Sequence, residues 1–383
     1  MSLKIFYVMA DPVPSYSAGS VFSLKNSEAL SRYGNSVKLL AERGAPGLPL
    51  EEYGIDPSSG LDIIRPFSIN RRRGLFRLSW HLPFFLGCLG IIKKERPDAV
   101  ITRSIKFARF AQRRLKNEGT PLIYEIHNTS FGDPGMKGRS SDEGDLLARM
   151  DGIISLTGPL ADIIKTGLGE GAPPVSVIPS GCTPRKPPEP KPVNDPTVAL
   201  YAGELHPHKG VNDFILALAS ARVPVKGVII GGPAYLDETR DFAMRQGMGG
   251  MIELTGRLSH SEVYKYLSRA DIGVAPMRPT FFNRFVISPL KVMEYMSCGL
   301  PVVAVRLESV QEILDNKSDG ILVSPGDTVD MAEAISSLAE DPRLLEKMSE
   351  KAFEKAVSYS WDSRAGKVTD FLKAVISGKE SRP

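Results

Sequence analysis

The residues most ready for chemistry are Ser288, Pro289, Leu290 and Lys291, followed by Glu294 and closed by Gly299 and Pro301. Serine is a natural helix N-cap, proline suits the first helical position, and glycine followed by proline stops a helix. The spacing therefore predicts a short helix that opens at Ser288 and feeds a strand at 301–305. A helix N-terminus carries free backbone N–H groups and the positive end of a dipole, which suits a pyrophosphate. Lys291 and Glu294 stand three apart on one face, offering an ammonium to a phosphate and a carboxylate to a ribose diol. The same spacing also describes an ordinary capped helix with a surface Lys–Glu pair, and on its own it leaves both readings open.

A second group lies in the first half of the chain. His127 follows the apolar run 121–126, which sets it at the carboxyl end of a parallel strand, where open α/β sheets bind ligands. It is expected to face a cleft; a hydrogen-bonded strand-end histidine is the alternative. Ala18, Gly19 and Ser20 fall between the first strand and a helix predicted over 21–33. There Gly19 either lets backbone amides approach a phosphate or acceptor, or only eases a tight turn. No G-x-G-x-x-G fingerprint with a downstream acidic residue is present, which argues against a dinucleotide-dependent oxidoreductase. No lysine-anchored cofactor motif is visible. With no paired-acidic cluster beside a Gly-rich turn, the reading is no metal and no cofactor.

These residues need a scaffold that gathers turns at one edge of a sheet. Apolar strand-like runs alternate with helix-length amphipathic runs: 5–10, then 21–33, then 37–41 repeat the β-α-β rhythm of a parallel sheet. Further buried-strand candidates lie at 98–102, 122–126, 152–156, 175–178, 198–201, 226–230, 272–275 and 301–305. They form two sets, so the fold class is α/β with two Rossmann-like domains. A length of 383 residues exceeds one typical core and suits two domains of roughly 100–200 residues each. The proline-dense stretch 183–196 can continue neither a helix nor a sheet ladder and reads as the linker. The expected organisation is a first domain at 1–182, a second at 197–360, and a helical segment beyond 361 that returns to brace the first.

Hydrophobic content of 42% and charged content of 24% are those of a soluble globular enzyme, which excludes wholesale disorder. The three cysteines are far apart and free of C-x-x-C spacing, so a zinc site or disulfide framework is not expected and a reducing, cytoplasmic setting fits. The opening apolar run is too short for a signal peptide and reads as a strand. The net charge of +4 conceals a local asymmetry: residues 61–120 hold fourteen Lys/Arg against four Asp/Glu. Within that block, 71–94 interleaves Arg71, Arg72, Arg73, Arg77, Lys93 and Lys94 with Phe76, Trp80, Phe84 and Phe85. Basic and aromatic residues together fit peripheral docking on an anionic membrane surface, beside the alternative of a core helix with solvated flanks. No nucleic-acid motif appears.

The stretch 288–304 resembles the second-domain signature of the group 1, retaining GT-B glycosyltransferases, and the likeness recurs in family order. Residues 201–211 (YAGELHPHKGV) are similar to the G-R-L-x-x-x-K-G turn, and 228–233 (VIIGGP) to the strand and glycine turn. Residues 254–258 (LTGRL), with Glu262 and 267–276, resemble the base-binding loop with its next helix and strand; Gln311, Glu312 and 319–327 resemble the segment after the donor helix. The resemblance covers most of 198–362. It implies two Rossmann-like domains facing each other across a cleft. A sugar, of hexose type, would pass from a nucleotide diphosphate donor of UDP or GDP type to a glycan or lipid-linked acceptor, with retention and without metal. Lys209 would neutralise donor phosphate, Glu294 would bind the ribose, and Thr255 and Arg257 would lie in the loop holding the base. Gly203, Glu204, Ser288, Pro289, Leu290 and Lys291 would complete the donor site, and His127 would lie near the transferred sugar.

Two positions depart from the family pattern. Val286 stands where the earlier glutamate of the E-x7-E signature belongs, and Glu204 stands where an arginine normally follows the glycine of the phosphate turn. An S-P-x-K-x-x-E form of the helix occurs in the family, so Val286 marks a subtype. Glu204 removes positive charge from the phosphate side, and the competing expectation is a catalytically silent nucleotide-sugar binding protein of the same fold.

Overall fold

The computed structural model describes residues 2–15, 17–44, 50–67, 81–185 and 193–380. Residues 68–80, with Arg71, Arg72, Arg73, Phe76, Arg77 and Trp80 of the expected docking block, and residues 186–192 of the proline-dense stretch lie outside the described residues; Phe84 and Phe85 of that block are buried in the core, not on the surface. The chain divides into two compact units, Met1–Ser180 with Trp361–Pro383, and Gly181–Ser360.

The first unit runs β1 (Lys4–Val13), α1 (Ala18–Arg32), β2 (Ser36–Arg43), β3 (Asp62–Ile64), α2 (Leu82–Glu95), β4 (Ala99–Thr102), α3 (Ile105–Asn117), β5 (Leu122–Ile126), α4 (Lys137–Leu147), β6 (Gly152–Ser155), α5 (Gly158–Leu168) and β7 (Val175–Val177). The strands form one parallel sheet in the order β3-β2-β1-β4-β5-β6-β7. Helices cover its faces, so the central strands are buried and read as continuous apolar runs such as Ile5 to Met9. The strand order reverses between β1 and β4. That switch point gathers the loop before α1, the end of β4 and the end of β5 at one carboxyl edge.

The second unit runs β8 (Thr197–Ala202), α6 (Val211–Ala219), β9 (Val225–Ile230), α7 (Leu236–Arg245), β10 (Ile252–Gly256), α8 (His260–Leu267), β11 (Ile272–Ala275), α9 (Leu290–Ser297), β12 (Val302–Val305), α10 (Glu308–Gln311), β13 (Gly320–Val323), α11 (Thr328–Glu340) and α12 (Pro342–Ser358). Its sheet is also parallel, ordered β10-β9-β8-β11-β12-β13, and reverses between β8 and β11. The turn after β8 therefore sits at the switch point. Gly210 closes that turn at φ +74°, and a Cβ there would stand 1.7 Å from the Pro276 carbonyl oxygen at the end of β11. Only glycine permits this approach.

Helix α13 (Trp361–Glu380) belongs to the first unit. It lies on α1, with the Trp361 ring edge-on to Phe22 at 5.4 Å and Asn35 Nδ2 donating to Thr369 Oγ1 at 2.9 Å. Its Arg364, almost fully buried, pairs with Glu125 near the carboxyl end of β5. Two helix starts differ from the sequence expectation. Helix α1 begins at Ala18, not 21, because the Ser17 hydroxyl accepts from the Ser20 amide at 3.1 Å and caps an earlier turn. Helix α9 begins at Leu290. The π-turn Phe282–Val286 lies just ahead of it, and the chain stays non-helical through residues 287–289. Pro289, at ψ 87°, is then the cap, its carbonyl accepting from Val292 at 2.9 Å; Ser288 is not the N-cap.

Candidate functional site

In the second unit the turn after β8 and the start of α9 bring two lysines together. Gly203, at φ +151°, leaves room for the Lys291 ammonium: a Cβ there would lie 2.9 Å from Lys291 Nζ. Lys291 Nζ is buried, has no hydrogen-bond partner, and stands 4.1 Å over the Tyr201 ring. Burial and then the charge of Lys209 push its pKa down to about 7, with Glu294 and Glu204 pulling the other way. Lys209, on a short 3-10 turn (Pro207–Lys209), is also held below its ordinary pKa by burial, opposed by Glu204. Two neighbouring cations, the inner one disfavoured by the outer and without a hydrogen-bond partner, favour an anion beside them.

Glu204 points largely into solvent, with Oε2 4.0 Å from His206 Nε2. Its backbone carbonyl accepts from the Tyr201 hydroxyl at 2.6 Å, so the position shapes the turn through the main chain. Glu294, one helical turn after Lys291, sits 3.6 Å from His260 Nε2, and both side chains are about three-quarters buried, at 26% and 23% exposed. His260 opens α8, whose start is fixed by a capping box between Ser259 and Glu262. Its ring packs edge-on to Tyr264 at 4.8 Å, and the Arg185 guanidinium lies 3.8 Å over that same tyrosine. Thr255 is the penultimate residue of strand β10, its hydroxyl donating to the Gly256 carbonyl at 2.9 Å, and Arg257 follows the strand, exposed. Ser288 is buried, ahead of the helix. Val286 is fully buried in the π-turn and offers no polar group there.

In the first unit His127 closes β5 and is 12% exposed. Its Nε2 is 3.3 Å from Glu125 Oε2, and its ring meets Phe22 edge-on at 4.3 Å. Glu125 also accepts from the Tyr7 hydroxyl and is paired with Arg364; these partners hold its pKa down at about 2 although burial alone would raise it. Burial, together with the charges of Arg103 and Arg364, pushes His127 down to about 4 against the pull of Glu125. The imidazole is therefore neutral at pH 7, and the nearby carboxylate favours the tautomer with its proton on Nε2.

Ala18, Gly19 and Ser20 form the first turn of α1 and are not a free loop. Ser20 Oγ accepts from the Ser15 amide at 2.9 Å, tying the entry segment to itself. The Gly19 carbonyl accepts from Arg103 Nη1 at 3.0 Å, and a Cβ on Gly19 would press on that guanidinium at 3.1 Å. The glycine thus makes room for an arginine. Arg103, Arg364, Tyr201 and His260 are the residues that the sequence reading did not single out. Arg103 directly follows β4, so the strand-end argument applied to His127 would have found it; nothing in the sequence marks the other three. Among the described residues no group of three His, Cys, Asp or Glu side chains is arranged to hold a metal, and no helix is long and apolar enough to cross a membrane.

Comparison with known proteins agrees with this architecture. The model of "Glycosyl transferases group 1" matches residues 183–355 and that of "Glycosyltransferase Family 4" matches 21–186. A glycogen synthase of Mycobacterium tuberculosis is 27% identical over 304 residues, covering 76% of this chain and 72% of that one. The α-D-kanosaminyltransferase of Streptomyces kanamyceticus is 30% identical over 166 residues, 42% of this chain and 41% of that one. Among solved structures, the sucrose-phosphate synthase of Thermosynechococcus elongatus superposes with a TM-score of 0.76 at 17% identity over 98% and 99% of the two chains. Anabaena HepE, solved with UDP-glucose, gives 0.72 at 18% identity over 97% and 100%.

Two parallel doubly wound sheets, each with its switch-point turns, define a two-domain α/β fold. The chain belongs to the group 1 glycosyltransferases of GT-B fold, which take their sugar from nucleotide donors.

Proposed function

We propose that this protein moves a hexose-type sugar from a nucleotide diphosphate donor of UDP or GDP type to an acceptor, with retention and without a metal or other cofactor. The observation that carries this reading is the buried Lys291 ammonium, left without a hydrogen-bond partner beside Lys209. A donor diphosphate supplies the missing counter-charge. As the glycosidic bond breaks, the departing nucleoside diphosphate gains negative charge. The two lysines and the amides at the start of α9 therefore bind the transition state more tightly than the ground state. Glu294 accepts from the ribose hydroxyls, and the end of β10 with Arg257 borders the base. Neutral His127, at the sheet edge of the first unit, would offer a hydrogen-bonding group to a sugar and is not assigned as a fixed base. The first unit would bind the acceptor, a glycan or a lipid-linked precursor of the cell envelope, on a cytoplasmic protein held peripherally at the membrane.

The buried Val286 and the outward Glu204 favour a second reading, a protein that binds the nucleotide sugar without transferring it. The test is a thermal-shift panel against UDP, GDP, ADP and their sugar conjugates in the presence of a chelator, then an assay for released nucleotide. Saturation at about 100 times Kd adds about 2.7 kcal/mol to the folded state, a readily measured shift. A shift with one nucleotide class and slow nucleotide release supports the transferase. A shift without release supports the silent protein, and no shift with any nucleotide removes the donor site.

A further inference from the structure

Helices α2 and α3 lie side by side on one face of the first sheet, joined through Phe85, whose ring is 5.4 Å from both Phe107 and Phe110. Helix α3 buries Phe107, Ala108, Ala111 and Leu115. Its opposite side carries Lys106, Arg109, Arg113 and Lys116, all exposed and within about a quarter of the helix circumference. The helix has no acidic residue, and among the described residues none of these four makes an ion pair. Arg114 is different: it folds back over Phe110 at 4.4 Å and donates to that residue's carbonyl.

Beside this stripe, α2 exposes Leu82 (41%) and Leu86 (53%), and Phe67 is 73% exposed. Phe67 runs against α2, its amide 3.6 Å from the position a Cβ on Gly87 would take. The nearby acids are already engaged at the far end of α2: Glu118 with Lys93 at 3.0 Å, and Glu95 with Lys4 and Lys38. The exposed leucines stand at the other end. His81, just before α2, reaches Glu42 near the end of β2 at 3.2 Å, and α3 starts directly after β4. Both helix starts, and with them Leu82, Leu86, Lys106 and Arg109, therefore lie toward the carboxyl edge that holds His127 and Arg103.

We infer that this face, Phe67, Leu82 and Leu86 flanked by Lys106, Arg109 and Arg113, docks on an anionic lipid bilayer. Unpaired cations are attracted to lipid phosphates, and large apolar side chains that water solvates poorly enter the headgroup layer beside them. A soluble acidic partner would account for the stripe but leave three large apolar side chains in water. The docking stands on this surface alone; it rests on the transferase reading only in that a lipid-borne acceptor would then meet the sheet edge carrying His127.

The test is flotation of the full chain with phosphatidylcholine vesicles with and without phosphatidylglycerol, for the wild type, Lys106→Glu/Arg109→Glu/Arg113→Glu, and Leu82→Asn/Leu86→Asn. The expected result is binding only to the anionic vesicles, released by raised salt, and weakened about 100-fold in the charge variant. Loss in the leucine variant supports insertion of the apolar side chains. All substitutions are at exposed positions, and thermal melting checks that the variants remain folded. Wild-type flotation that fails, persists in the charge variant, or is replaced by retention on a soluble polyanion such as heparin overturns the proposal. Thermal shift with nucleotide on the same samples separates the two claims: nucleotide binding without vesicle binding sinks the docking face and leaves the donor site standing.

Discussion

Replacing Lys291 by methionine should make the unliganded protein more stable and abolish nucleotide binding. The fall in pKa from 10.5 to about 7 measures how strongly the folded state resists the charge on this ammonium. At about 1.4 kcal/mol per pH unit, the cost has a ceiling of about 5 kcal/mol. Local relaxation and water entry reduce such figures, and half the ceiling is a reasonable expectation. For a unit spanning Gly181–Ser360, about 2–4 °C per kcal/mol gives a rise in Tm of about 5–10 °C. Methionine preserves the length of the side chain and its contact with Tyr201 while removing the charge. The pH dependence comes from linkage. The folded pKa lies below the unfolded one, so the cost is present in full below pH 7 and fades as pH rises from 7 toward 10.5, where the unfolded chain also loses the proton. The stability advantage of the variant should shrink across that window. Calorimetry of nucleotide binding at pH 8 in two buffers of different ionisation enthalpy should detect proton uptake by the wild type, because the diphosphate recharges Lys291. A variant that is no more stable than wild type at pH 6, or that binds nucleotide with unchanged affinity, would refute the assignment of Lys291 as a counter-ion held in reserve for the donor.

Glu294→Gln should weaken nucleotide binding about 10–100-fold, as loss of charge-assisted hydrogen bonds to the ribose predicts, while leaving melting unchanged; equal affinity for the nucleoside diphosphate in both proteins would count against the ribose role. Arg364→Met should cost about 3–5 kcal/mol, because it leaves Glu125 buried and unpaired, and Arg364→Met with Glu125→Gln should recover much of that loss in urea unfolding. His127, with a folded pKa near 4 against an ordinary 6.5, takes up its proton in the unfolded chain first, so stability should fall as pH drops from 6.5 to 4 by up to about 3 kcal/mol from this residue. His127→Gln should flatten that part of the urea-unfolding profile, and an unchanged slope would place the histidine in a more open setting than 12% exposure implies.

The fold was legible because a parallel sheet covered on both faces writes itself as apolar runs separated by amphipathic ones. Strands such as β5 and β11 are short, buried and bounded by turn residues, and the sequence pattern located them directly. Strand β3 was missed: it has three residues, starts with Asp62 and sits at the sheet edge, where little burial is demanded. Strand β13 was absorbed into a motif, and β10 is only half-buried, which weakens its apolar signature. At the site, local geometry could be read where it depends on one helix or one strand end, as for Lys291, Glu294 and His127. Through-space pairings lie outside the reach of spacing. Arg364 meets Glu125 across 239 positions of sequence, and His260 meets Glu294 from a different helix. The helix starts at Ala18 and Leu290 moved because capping by Ser17 and the π-turn at Phe282–Val286 compete with residue preference, and neither competitor is visible in propensity alone.

The return of α13 to the first unit also sets an order of manufacture. At a synthesis rate of about 5–20 residues per second, the stretch from Gly181 to Ser360 takes on the order of 10–40 s to emerge, and it contains everything its own sheet needs. Through that interval the first unit waits, with Glu125 already made and the guanidinium that neutralises it still untranslated. The part of the chain made first is therefore finished last, and an unfinished chain presents a complete second unit attached to a half-built first unit whose buried carboxylate resists closing. A ribosome stalled before Arg364 should display a protease-resistant second unit and a protease-sensitive first one, so that integrity of the first unit reports that translation has run through α13.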